Sequence, residues 1–256
     1  MTKAPFLSLV IPAWNEEETI WTSLEAIVAY LDKQEYASEV IVVDDGSTDR
    51  TRALVKSFIG EYVGQTPVRL IESDHRGKGY AVRTGILDST GKYVLFTDAD
   101  LATPVYEIGK MVGALETGCD VAIGTRVGIG AERVNQPFLR RLMGRTFNLL
   151  VRLISGLRFQ DTQAGFKGFR REVAQDLFHR TLLYGADAKP LRGSALTAFD
   201  VEVLYLASHE GYRIEEVPVK WQYGPSRVNL LLDSVRMFVD VIKVRWMAMK
   251  GLYEKD

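Results

Sequence analysis

Two aspartates, Asp98 and Asp100, stand one residue apart at the end of the apolar run Tyr93-Val94-Leu95-Phe96. Alternate side chains of an extended strand point the same way, so this spacing aims both carboxylates at one site. Like charges held that close repel unless a cation joins them. Carboxylate oxygens suit Mg²⁺ or Mn²⁺, and Mg²⁺ commonly combines one or two carboxylates with phosphate oxygens of a substrate. An Asp-x-Asp pair alone also fits a solvated turn after a strand, so the neighbouring clusters decide between the two.

Asp44-Asp45-Gly46-Ser47-Thr48-Asp49 follows another apolar run. Gly46 permits a tight turn, and Ser47 or Thr48 suits the cap of the next helix. Neither role needs two adjacent acids, whose oxygens could accept hydrogen bonds from a base or ribose. Arg76-Gly77-Lys78-Gly79 is a flexible cationic loop before a helical segment, a place where backbone N–H groups favour phosphate. It is not a P-loop, because GxxxxGK[ST] is absent.

The segments that must position these clusters alternate. Phe6–Ile11, Val40–Val43, Val68–Ile71, Tyr93–Thr97 and Val121–Ile123 read as buried strands. Glu17–Leu31, Thr48–Phe58, Gly79–Leu87 and Pro104–Leu115 carry helical spacing, the last with Pro in its first turn. The alternation predicts an α/β fold with a largely parallel central sheet, in which ligands bind at the carboxyl ends of strands. Polar clusters follow all five strands: residues 12–18, 44–49, 73–78, 98–103 and 124–126.

Composition narrows the class. The 256 residues carry a net charge of −1, which argues against disorder and against a generally basic nucleic-acid binder. Cys119 is the only cysteine, and His75, His179 and His209 are scattered, so neither a disulfide framework nor a zinc motif is available. The N-terminus has no signal-peptide pattern, and no stretch approaches the roughly 20 apolar residues of a membrane span. The expectation is a cytoplasmic chain, peripheral at the inner face of the cytoplasmic membrane. With no repeat or linker, it reads as a single domain over 1–256, divided into a nucleotide-binding half (1–125), an acceptor-side half (126–227) and a C-terminal amphipathic helix (228–256).

Ile11-Pro12-Ala13-Trp14-Asn15-Glu16-Glu17, Val43–Asp49 and Asp98-Ala99-Asp100 together resemble family 2 glycosyltransferases of the GT-A (Rossmann-like, nucleotide-sugar-binding) fold. Asp161-Thr162-Gln163-Ala164-Gly165-Phe166-Lys167 and Phe199-Asp200-Val201-Glu202 resemble the polyprenyl-phosphate sugar transferases, the dolichyl-phosphate β-glucosyltransferases most of all. The resemblance runs from about Ser8 to Arg245. It implies that Pro12, Trp14, Glu16, Val43 and Asp45 bind the nucleoside and that Asp98 and Asp100 hold Mg²⁺ or Mn²⁺ against the diphosphate; Asp98 and, from its cationic loop, Lys78 complete the nucleotide-binding set. Trp14 stands where Tyr is commoner and still offers an aromatic face. The mannosyl branch carries Gln near the position of Ala102, so its absence points to the glucosyl branch.

Between Arg126 and Arg158 lie seven arginines and one acid, Glu132, a segment charge of +6 in a near-neutral chain. Arginine forks bind phosphate in bidentate fashion, and the apolar neighbours, including Phe138, Phe147 and Leu149, suit a membrane-interfacial helix. A solvated face over the core is the plainer alternative. The resemblance assigns acceptor-phosphate contacts to Arg126, Arg140 and Arg227, the last where Lys is common, with Gln163 beside them. Val228–Met249 has apolar residues at helical spacing and would dock on the domain, lie on a membrane or support a homo-oligomer.

The implied reaction is inverting, metal-dependent transfer of a hexose, UDP-glucose being the favoured donor, to a polyprenyl or dolichyl phosphate, with no nucleic-acid partner. Asp98, Asp100, Asp161 and Arg126 are the candidate catalytic residues. Asp161 would act as base for a hydroxyl acceptor. With a phosphate acceptor, Asp161 and Gln163 would orient the sugar or the arginines. Asp200 and Glu202 fall in a helical stretch and read as structural, positioning nearby Arg or Lys. Two other readings stay open: transfer to a soluble hydroxyl or glycan, and a non-catalytic nucleotide-sugar-binding module.

Overall fold

A computed structural model describes residues 4–191, 193, 197–224 and 230–254, apart from the side chains of 138–140, 142, 143 and 230–234. In chain order the first elements are β1 (Leu7–Ala13), α1 (Ile20–Leu31), β2 (Ser38–Asp45), α2 (Thr51–Glu61), β3 (Val68–Ser73), α3 (Lys78–Asp88) and β4 (Tyr93–Phe96). A 3₁₀ turn (Val105–Glu107), α4 (Ile108–Glu116), β5 (Val121–Thr125), β6 (Glu132–Val134) and α5 (Phe138–Ser155) follow. The rest are β7 (Lys167–Arg170), α6 (Arg171–His179), α7 (Phe199–His209), β8 (Ile214–Pro218), β9 (Lys220–Gln222) and α8 (Leu230–Met249).

Seven strands form one sheet in the order β3-β2-β1-β4-β7-β5-β8. β7 runs antiparallel to both its neighbours, and the other pairs in this sheet are parallel. β1 to β5 therefore all end at the same edge. β6 and β9 pair as a separate parallel ribbon beside β5. The expected α/β architecture is present, and all five expected strands form.

Alternation along the strands assigns the two faces. Leu7, Leu9, Ile11, Val40 and Val42 pack beneath α1, α2 and α4. Val10, Ile41, Val43, Val94 and Phe96 pack against α3, α6 and α7. With both faces covered, each central strand reads as a continuous apolar run. The helix expected over Pro104–Leu115 is split: Pro104 stays extended, a 3₁₀ turn follows, and α4 begins at Ile108. α2 begins at Thr51, not at Thr48, because the 47–49 side chains are engaged with another loop.

α3 lies close on the sheet because Gly85 has no side chain; a Cβ there would collide with Val10 and press on Val43. Gly113 in α4 has open space around it. Gly85→Ala should therefore destabilise the fold by about 1–3 kcal/mol through overpacking. Gly113→Ala should stabilise it by about 0.5–1 kcal/mol by restricting the unfolded chain and favouring helix. Urea denaturation of the two variants checks both signs.

Candidate active site

The β1 and β2 ends are stitched together. Asn15, in the left-handed region at φ 54°, donates its backbone N–H to Ser47 Oγ at 2.9 Å and accepts from Thr48 N at Oδ1, 2.8 Å. Glu16 N donates to Thr51 Oγ1 (2.7 Å) and Glu17 N to Asp49 Oδ2 (3.1 Å). Ser47 and Thr48, expected as helix caps, thus tie the two loops together instead. Asp49 does both jobs, since its Oδ1 also accepts from Thr51 N. Glu16 Oε2 accepts from Thr19 Oγ1 at 3.0 Å.

Trp14 stacks on His75, with centroids 4.6 Å apart and planes 14° from parallel. Beneath this stack Asp45 is 2% exposed. Its Oδ1 accepts from Arg76 N, and its Oδ2 accepts from Gly77 N and faces His75 Nδ1, each at 2.8 Å. Asp45, expected to accept from a base or ribose, here accepts from its own loop. A buried carboxylate must be satisfied, and here it folds the 75–77 loop around itself. Burial raises its pKa more than the N–H donors and His75 lower it. The Val43 side chain lies wholly in the core, which leaves its backbone as the part that could meet a ligand. Pro12, its register partner across β1 and β2, is also buried.

Asp98 and Asp100 lie just beyond β4. Lys78, the first residue of α3, pairs through Nζ with Asp98 Oδ1. Burial opposes the charge on Lys78, but Asp98, Asp200 and Asp100 together raise its pKa. Lys78, expected on phosphate, here also contacts the acidic pair through Asp98. Asp100 accepts from Ala102 N at 3.0 Å. Its carboxylate reaches solvent, yet the surrounding walls, and then the Asp98 charge, raise its pKa. Asp98 also rests on Gly165, where any Cβ would strike its carboxylate. Among the described residues no group of three or more His, Cys, Asp or Glu gathers as a metal cage. Two carboxylates with one cationic neighbour suit an ion that completes its shell with phosphate and water.

On the other side of this edge, Arg126 follows β5. Its Nε and Nη2 donate to the two oxygens of Asp161, each at 2.7 Å, and its backbone N–H adds a third bond at 2.9 Å. The Arg126 charge holds the Asp161 carboxyl below its ordinary range although burial pushes the other way. Burial likewise opposes the charge on Arg126, but Asp161, with Asp98 and Asp200 further off, outweighs it and raises the pKa. The guanidinium lies 5.2 Å from the ring centre of Trp221 on β9. Asp161 is therefore poorly suited to be the base considered for a hydroxyl acceptor: both its oxygens are occupied and its proton affinity is lowered.

Arg126 opens onto a cleft of about 440 Å³ that Arg133, Arg145, Arg152, Arg158 and Gln163 also line. Gln163 Nε2 contacts Met237 Sδ of α8 at 3.3 Å. Arg140 lies on α5, but its side chain is outside the described residues, as is the whole of Arg227. Deeper in the molecule Lys167 is wholly buried, with Nζ donating to Asp200 Oδ1 and the Ala164 carbonyl, each at 2.6 Å. Asp200 thus pairs with a lysine, as expected of a structural acid. Glu202 does not: it accepts from Leu182 N, Leu183 N and Tyr253 Oη.

Several participants were not picked out as site residues from sequence: His75, Gly165, Trp221 and four of the arginines lining the cleft. The arginines had a signal in the segment charge. Gly165 had one only in its place in the Asp161–Lys167 motif. His75 and Trp221 had none, because a lone ring gives no periodicity.

The model of the family described as Glycosyl transferase family 2 matches residues 8–178. The chain is similar to dolichyl-phosphate beta-glucosyltransferases: 34% identical to that of Saccharomyces cerevisiae, covering 98% of this chain and 77% of the relative. The Homo sapiens relative is 34% identical, with 98% and 78% covered, and that of Dictyostelium discoideum 31%, with 97% and 76% covered. Among solved structures, glucosyl-3-phosphoglycerate synthase from Mycobacterium tuberculosis with Mn²⁺, uridine-diphosphate and glucosyl-3-phosphoglycerate superposes with a TM-score of 0.65. It is 21% identical, covering 96% of this chain and 80% of that one, a likeness of fold.

Two outcomes follow for this edge. Gly165→Ala should displace the Asp98 carboxylate and lower glycosyltransferase activity about tenfold or more, about 1.4 kcal/mol of barrier, with the melting temperature little changed, as a transfer assay and thermal unfolding would read. Asp161→Asn should cost roughly 3 kcal/mol near neutral pH, the lower end for a broken buried pair, since Arg126 keeps some contact with water. Because the folded pKa of Asp161 is depressed, the pair contributes fully above the unfolded value near ~3.9. Its contribution is lost as pH falls through the lower folded value. The gap between wild type and variant in denaturation should close in that acid range.

Proposed function

We propose that this chain, which belongs to glycosyl transferase family 2, transfers glucose from UDP-glucose to a polyprenyl or dolichyl phosphate with inversion at the anomeric carbon. The observation that carries this reading is the juxtaposition of an acidic pair with an arginine-lined cleft at one sheet edge. The likeness to dolichyl-phosphate beta-glucosyltransferases over nearly the whole of this chain supports glucose as the sugar and dolichyl phosphate as the acceptor.

Donor and acceptor take different halves of the edge. The Trp14–His75 stack receives the base, on a loop that Asp45 shapes from below. Lys78 and the N-terminus of α3 face the diphosphate, where the helix end favours anions. Asp98 and Asp100 would hold a divalent cation, Mg²⁺ or Mn²⁺, since Asp98 is set by Lys78 and Gly165 and the Asp100 carboxylate beside it reaches solvent. When bound, that cation supplies electrostatic stabilisation of the charge that grows on the leaving diphosphate.

Arg126, fixed by Asp161, orients the acceptor phosphate. A phosphate monoester with a second pKa near ~6 is mostly dianionic at neutral pH. Its oxygen can attack the anomeric carbon without a protein base. A new bond forms between that oxygen and the sugar, the bond to UDP breaks, and UDP leaves with the electron pair. Asp161 then acts as a positioning residue, in keeping with its fork to Arg126 and its depressed pKa.

The acceptor's lipid chain needs an apolar surface. Leu149, Leu150 and Leu153 of α5 are exposed, as are Val235, Val239, Ile242, Trp246 and Met249, a helical stripe on α8. The two helices pack on each other. No helix among the described residues is long and apolar enough to cross a membrane. This face rests in the interface of the cytoplasmic membrane, on its inner side. A second reading, transfer to a soluble phosphorylated acceptor, is favoured by the fold likeness to the phosphoglycerate enzyme.

Radiolabelled transfer from UDP-glucose, assayed with polyprenyl phosphate and separately with 3-phosphoglycerate, distinguishes the two. The expected product is organic-extractable. Asp98→Asn and Asp100→Asn should each lower kcat/KM by about 10²–10³, the scale of losing one electrostatic stabiliser. A water-soluble product alone would favour the second reading, and no lipid-linked product from any nucleotide sugar would overturn the first.

A further inference from the structure

The acceptor reading uses Arg126, yet the same cleft carries four more arginines. Arg145 and Arg152 are seven residues apart on α5, so they share one face, with Asn148 and Leu149 between them. Gly156, left-handed at φ 75°, ends that helix and turns the chain so that Arg158 lines the same cleft. Arg133 completes the lining, tied by Nε to the Arg126 carbonyl at 2.7 Å.

The charges in this cleft do not balance. The one acid among the described lining residues is Asp161, and Arg126 takes up both its oxygens. Among the lining residues five guanidiniums against one carboxylate leave a charge of +4, with Glu216, which accepts from Gln160 N and Asp161 N, as the nearby acid facing Arg152. The pKa of Arg133 is lowered, first by burial and then by the Arg126 charge, with Asp161 opposing and Arg141 and Arg145 adding to it. The guanidiniums of this cleft thus crowd one another. A phosphate monoester brings at most two negative charges, so a single acceptor phosphate leaves half of the excess unmatched. The volume lies within the ~300–1,000 Å³ of small-molecule sites, room for more than one such group.

We propose that Arg145, Arg152 and Arg158 form a second phosphoryl-binding subsite beside the Arg126–Asp161 fork. It rests on the acceptor-side reading of Arg126 only in taking the first phosphate to lie there. Its phosphoryl group comes either from the headgroup of an acidic lipid next to the acceptor or from a soluble phosphate compound. Leu149, which lines the cleft and is also part of the exposed apolar face, makes the lipid headgroup the nearer source.

The test uses the full chain, wild type and the Arg145→Gln/Arg152→Gln double variant, with Arg158→Gln as a second variant outside the helix. Gln keeps helix propensity close to that of Arg, and thermal unfolding verifies that each is folded. One arm measures cosedimentation with phosphatidylglycerol/phosphatidylcholine vesicles against phosphatidylcholine alone. The other measures binding of inorganic phosphate and pyrophosphate by calorimetry. Wild type should bind in at least one arm, and the variants should bind at least about tenfold more weakly there, while UDP affinity stays within about twofold. Weakening confined to the acidic vesicles identifies a lipid headgroup; weakening confined to the soluble anions identifies a free phosphate compound. Equal binding by wild type and variants in both arms, or no binding by wild type in either, overturns the subsite. A chain that binds phosphoryl groups in this arginine-dependent way but does not glucosylate polyprenyl phosphate would keep the subsite and lose the acceptor assignment.

Discussion

A carboxylate removed from water must find cations or N–H donors, and that constraint organises the carboxyl edge of this sheet. Asp44 is held by Arg52, Asp45 by the backbone of Arg76 and Gly77, and Asp98 by Lys78. Asp161 is held by Arg126, and Asp200 by Lys167. Each pairing fixes a loop or strand end that would otherwise be free to move. The parallel strands bring these groups to one edge, and the need to satisfy them sets where the loops lie. Were these acids replaced by apolar residues the sheet could still form, but its loops would lose their main source of fixed geometry.

The same edge is divided electrically. On the β1–β4 side, Asp98 and Asp100, with Lys78 at the start of α3 beside them, flank a region suited to a cation and a diphosphate. On the β5 side, arginines exceed acids. Two anionic substrates cannot approach each other without repulsion unless each is neutralised in its own place. On the proposed reading, separating the acidic pair from the arginines, with Arg126 near enough to feel Asp98, would let the two anions lie at short range. Lys167 and Asp200 are buried and paired, tying β7 to α7.

Much of this was legible in sequence because it rests on local pattern. Each strand is an apolar run ended by a polar cluster, and the Asp98/Asp100 spacing follows from strand geometry alone. What was not legible depends on contacts far apart in the chain. Asp45 looks like a ligand group in sequence; only the return of residues 75–77, some thirty positions later, reveals that its oxygens are taken. Ser47 and Thr48 have cap chemistry, but Asn15 claims them first. β7 enters the sheet antiparallel after a long excursion, which no periodicity encodes. Gly165 matters through a clash that a side chain would create, a property of the partner and not of glycine.

The fork between Arg126 and Asp161 carries a further consequence for the chemistry. A carboxylate cannot be both a firm anchor for a guanidinium and an effective general base, because the charge that anchors it also lowers its proton affinity. Here the geometry favours the anchor: two side-chain bonds and one backbone bond converge on Asp161. His75, the ring nearest the donor loop, is tied to Asp45 on one nitrogen and to the Gly193 carbonyl on the other. A nucleophile that arrives already ionised removes the demand for a base at this edge. The burial of Asp161 and the anionic character of the acceptor are thus two sides of one solution: the enzyme can fix its arginines rigidly because the substrate brings its own negative charge.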